Sequence, residues 1–132
     1  MKPLNPEQQE IFNRVAAKAE SIGFVRADMG WYWAHSYRLG NNDKVTFGCS
    51  CDPNTENSPV HIIVMALLPT TGKYAKYETQ GYNIEEFENL NASKFTTLSN
   101  HVQTKSCEIE ELEEKLKFLR KDLQKYAKKN MP

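Results

Sequence analysis

The chain has 132 residues, with seventeen basic and seventeen acidic side chains and therefore no formal net charge. That length suits one domain, and the balance argues against a protein that lives by neutralising duplex phosphates or an anionic membrane surface. The longest apolar run, Ile62 to Leu68, is far too short to span a bilayer, and Met1 to Glu10 lacks the apolar stretch of a signal peptide. Three cysteines, an odd number, fit a reducing compartment, so the expected location is cytoplasmic.

In chain order, the first element is a helix. Asn5 is placed to cap it, Pro6 suits its first position, and Gln8 stands where a capping box wants its amide. Ile11, Phe12, Val15, Ala16, Ala19 and Ile22 form its apolar face, and Gly23 closes it. From Phe24 to Leu68 the period moves towards two, predicting strands at Phe24 to Ala27, Trp31 to Leu39, Lys44 to Cys51 and Val60 to Leu68. Asp52 to Pro59 reads as a surface loop. Pro69 to Tyr82 reads as a longer one, with a short strand as the alternative, and Lys73, Tyr74, Lys76, Tyr77 and Tyr82 alternate basic and aromatic character. Asn83 caps a short helix with Glu86 as its reciprocal partner. A last helix carries a heptad seam, and the acids following Ser106 predict that it restarts there. The expected architecture is α+β: an N-terminal helix, a three- to four-stranded antiparallel sheet and C-terminal helices. Its expected division is an α+β domain over 1–105 and a C-terminal helix over 106–132, packed on the domain or self-associating.

Trp31, Trp33, His35 and Tyr37 alternate along the second predicted strand. A two-residue turn at Asn41-Asn42 pairs residues whose numbers sum to 83, which sets Ser36 opposite Phe47 and Ala34 opposite Cys49 on a core face. Tyr37, His35 and Trp33 then lie on the other face opposite Thr46, Gly48 and Ser50, an aromatic platform beside small neighbours. With Lys73, Tyr74, Lys76 and Tyr77 of the following loop, these rings are the expected contact surface for another protein. The register decides everything here, because a slip of one residue moves every ring to the other face.

Motifs that name a reaction are lacking. Cys49 and Cys51 share a strand face and, with His35, outline a metal- or thiol-dependent site, but their spacing is not a zinc knuckle. Pro69 to Lys73 lacks the remainder of a phosphate cradle. The expectation is therefore a non-catalytic interaction module without cofactor or metal, a regulator or inhibitor of a macromolecular partner. A single-stranded nucleic-acid binder that stacks bases on Trp31, Trp33 and Tyr37 ranks second, and an enzyme at Cys49, Cys51 and His35 third.

The seam itself runs through Ile109, Leu112, Leu116, Leu119, Leu123 and Tyr126. A parallel in-register pair would set Glu108 against Glu113 and Lys115 against Arg120, both repulsive. An antiparallel pair sets Glu113 against Arg120 and Lys115 against Asp122, both attractive. If these helices form a homodimer, it should run antiparallel.

Overall fold

The computed structural model describes residues 2–40, 42–70 and 76–132. Helix α1, Pro6–Ser21, leads into strands β1 Phe24–Arg26, β2 Ala34–Leu39, β3 Asn42–Ser50, β4 His61–Leu68 and β5 Lys76–Tyr82; helices α2 Ile84–Glu88 and α3 Ala92–Lys129 follow. The fold is α+β, as its sequence pattern predicts. The five strands form an antiparallel meander in the order β1-β2-β3-β4-β5. β5 occupies the end of the segment expected as a loop before Tyr82: it pairs with β4 from Leu68 opposite Lys76 to Ile62 opposite Tyr82. Pairing, not period, makes this segment a strand, since its own pattern is polar and largely exposed.

Local chemistry explains the helix starts. The Asn5 side chain accepts from Gln8 N while Gln8 Oε1 accepts from Asn5 N, and Asn83 with Glu86 repeats that reciprocal box at α2. Gln8 is itself buried and donates through Nε2 to Ser58 O at 2.7 Å, tying α1 to the loop between β3 and β4.

All three helices lie on one face of the sheet. Phe24, Tyr37, Phe47, Phe87 and Phe95 build an aromatic centre there, with Phe47 in ring contact with the other four. Phe12, Val15 and Ala19 of α1 and Phe95 and Val102 of α3 cover Val45, Cys49, Ile62 and Val64. Small residues let α3 approach closely: Ser99 and Ser106 are buried, and Asn42 Nδ2 donates to Ser99 Oγ at 2.7 Å.

The restart expected after Ser106 does not occur. α3 is unbroken from Ala92 to Lys129, yet Ser106 is its last buried residue, and residues 107–129 are all exposed. At 1.5 Å per residue this arm reaches about 35 Å beyond the body. No helix among the described residues is long and apolar enough to cross a membrane.

Candidate functional site on the open sheet face

β2 and β3 do not pair as the two-residue turn predicts. Leu39 meets Asn42 at the turn, and an irregularity between Arg38 and Leu39 resets the ladder, so that Arg38 pairs with Thr46, Tyr37 with Phe47, His35 with Cys49 and Ala34 with Ser50. The sums are 84, one more than expected, which corrects the parity of β2. The inward residues of β3, Val45, Phe47 and Cys49, are as the pattern predicts. On β2 the faces are exchanged. Tyr37 is only 6% exposed and stacks on Phe47, and His35 lies edge-on to Phe12 at 4.8 Å. Tyr37 thus leaves the expected contact surface and joins the core.

That exchange puts small residues outside. Ala34, Ser36, Gly48 and Ser50 become the floor of an open groove of about 400 Å³ on the face without helices. Ile63 and Met65 of β4 border it on one side and Met29 and Trp31 on the other, with His61 and Asp28 among its lining. The floor is low for a second reason. A Cβ at Gly48 would stand 2.6 Å from His35 O, closer than real Cβ atoms come, so the strands fit only with glycine there.

Trp31 and Trp33 precede β2 in a turn instead of lying within it. Their rings stack with centroids 4.9 Å apart and planes 7° from parallel. Trp33 packs partly against the core, while Trp31 is 51% exposed. Asp28 organises this turn. Its carboxylate accepts from Arg26 Nε at 2.5 Å, from Gly30 N at 2.6 Å and from Ser36 N at 3.3 Å. Burial alone would raise the Asp28 carboxyl; the hydrogen bonds from Arg26, Gly30 and Ser36 and the guanidinium charge outweigh it and hold the pKa at about 2. Gly30 adopts φ 85°, the left-handed conformation that lets the chain turn towards Trp31.

Among the remaining expected site residues, Lys73 and Tyr74 lie outside the described residues. Lys76 and Tyr77 open β5. Tyr77 is exposed and pairs with Leu67, at the opposite end of β4 from Ile63, so it stands apart from the groove at Trp31. The six seam residues Ile109, Leu112, Leu116, Leu119, Leu123 and Tyr126 all lie on the arm and are exposed, as is Phe118.

Cys49 and Cys51 both face the core and are buried. Burial, helped by the neighbouring Cys51, pushes the Cys49 thiol up to about 12, so it stays protonated and weakly nucleophilic at neutral pH. Burial likewise lowers the pKa of His35, leaving it a neutral ring against Phe12. Among the described residues no group of three or more His, Cys, Asp or Glu side chains is placed to hold a metal ion.

Asp28, Met29, Ile63 and Met65 are no part of the contact surface expected from the sequence, and Gly48 figures in it only as a small neighbour of His35. The Asp28 to Gly30 spacing is a turn signal that was there to be used. Ile63 and Met65 sit in a run that is apolar at every position, where alternation cannot say which side chains are covered. Compared with protein-family models, curated proteins and solved structures, the chain matches none of them.

Proposed function

We propose that this chain is a cytoplasmic, non-catalytic protein-interaction module that receives a partner protein on the open sheet face. The observation that carries this reading is Trp31: a half-exposed indole, stacked on Trp33 and lining a groove with an apolar border. A rigid aromatic beside a recess loses little conformational freedom on binding, which is why such residues dominate interface energetics. The floor of Ala34, Ser36, Gly48 and Ser50 gives a partner's aliphatic or aromatic side chain room against Ile63 and Met65. The one carboxylate at the groove, Asp28, is neutralised by Arg26, so an apolar group enters without stranding a charge.

Stacked nucleotides suit this groove less well, because Arg26, the cation beside Trp31, is already held by Asp28 and is not free for phosphate. The buried, protonated Cys49 also favours a binding role over thiol chemistry.

Affinity capture from the source cell with wild-type protein, Trp31→Ala and Ile63→Glu tests the proposal. A partner protein should be retained by wild type, weakened tenfold or more by Trp31→Ala and lost with Ile63→Glu. Identical capture by all three would remove the sheet face from consideration. Capture that disappears on nuclease treatment would replace the protein partner with a nucleic acid.

A further inference from the structure

The arm of α3 presents Ile109, Leu112, Leu116, Phe118, Leu119, Leu123 and Tyr126 to solvent along 18 positions of one helix. Contiguous apolar surface of that kind on a projecting element is where a partner sits. We infer that its occupant is the same arm of a second copy of this chain, running antiparallel, with the crossing centre between Lys117 and Phe118.

Three independent features select this arrangement. The first is layering: about that centre Ile109 meets Tyr126, Leu112 meets Leu123 and Leu116 meets Leu119, so all six seam residues find apolar partners. The second is charge. Glu113 faces Arg120, Lys115 faces Asp122 and Glu108 faces Lys129, and two-fold symmetry makes each pair twice. A parallel in-register pair would instead oppose Glu108 to Glu113 and Lys115 to Arg120. The third is length. Ser106 is the last residue of α3 buried by the body, and α3 ends at Lys129, where the Asn130 side chain donates to Tyr126 O. The midpoint of 106 and 129 is 117.5, which is the centre that the layers and charges demand. Each arm therefore spans its partner's arm from the body to the tip.

The two bodies would then stand at opposite ends of the paired arms, their Ser106 positions about 35 Å apart. Each carries its own groove, so the assembly would present two docking faces. This inference does not rest on the reading of the sheet face, and its measurement needs no partner.

Light scattering on the purified full chain should give twice the 15.2 kDa of one chain. Leu116→Glu with Leu119→Glu should return it to 15.2 kDa while tryptophan fluorescence, which reports the body, stays unchanged. Glu113→Arg should weaken dimerisation about tenfold, and adding Arg120→Glu in the same chain should restore it. Cys107, the exposed cysteine of three, allows a nitroxide label to read orientation. Antiparallel arms place the two labels about 30–35 Å apart, whereas parallel arms bring them within about 20 Å. A monomeric wild type, a dimer that survives the double glutamate variant, or the short label distance would each overturn the inference.

Discussion

The two halves of α3 share one backbone and have opposite fates. Over residues 92–106 the helix lays Phe95, Ser99, Val102 and Ser106 against β3 and β4 and is part of the core; over 107–129 every residue is exposed. Helix propensity favours the second half, which is rich in Glu, Leu and Lys where the first carries Ser, Thr and Asn, and both halves carry an apolar stripe. The difference is the sheet, which ends at Ser106. Burial stabilises the first half, whereas the second leaves its apolar stripe facing water, where a second surface would cover it. A heptad seam therefore predicts that a surface is needed and leaves open which surface meets that need.

This contrast can be broken most forcefully at Phe47, which touches Phe24, Tyr37, Phe87 and Phe95 and is 1% exposed. Phe47→Ala should lower the unfolding free energy of the body by about 3–5 kcal/mol in urea titration. Leu119→Ala on the arm should change the same transition of the body by less than about 0.5 kcal/mol. Comparable effects at both sites would mean that the arm is packed after all.

Gly48→Ala tests the closeness of β2 and β3, since the new methyl must displace His35 O or the strand. An expected loss of about 1–3 kcal/mol, read from the same titration, is larger than glycine-to-alanine changes at open positions produce. The arm has no comparable position.

Asp28 sharpens the comparison through pH. Its folded pKa of about 2 lies below the ordinary 3.8, so its stabilisation is present above about pH 4 and is lost as pH falls towards 2. Solvent screening at the Arg26 end reduces the contribution to about 1 kcal/mol. Wild type should exceed Asp28→Asn by that amount at pH 5, and the gap should close near pH 2. A gap independent of pH would place the effect elsewhere.

Helix caps give the smallest contrast. Asn5→Ala breaks a reciprocal box on a helix tied to the body and should lower stability by about 1 kcal/mol. Asn130→Ala at the tip of the arm should leave the urea midpoint of the body unchanged and appear only as a slight loss of helical circular dichroism.

Much of the fold was legible in local chemistry. The Asn5 and Asn83 boxes, the inward triplet Val45, Phe47 and Cys49, and the seam at Ile109 to Tyr126 all stand where spacing and composition predict. The candidate site was legible only in part. Trp31 is exposed as expected, but Tyr37 is core, and half of the groove floor, Ala34 and Ser36, consists of residues assigned to the interior. One register step separates the two outcomes, and the step arises at an irregularity beside Leu39 that leaves no mark on the alternation of β2.

By itself the sequence determined which segments become helices, where α1 and α2 start, and which residues of β3 turn inward, because caps and periodicity are written within a few neighbouring positions. The tertiary structure alone decided the parity of β2, the conversion of residues 76–82 into a fifth strand, and the point at which α3 leaves the body. Those outcomes depend on which strand lies alongside and how far the sheet extends, and such information is held by residues distant along the chain.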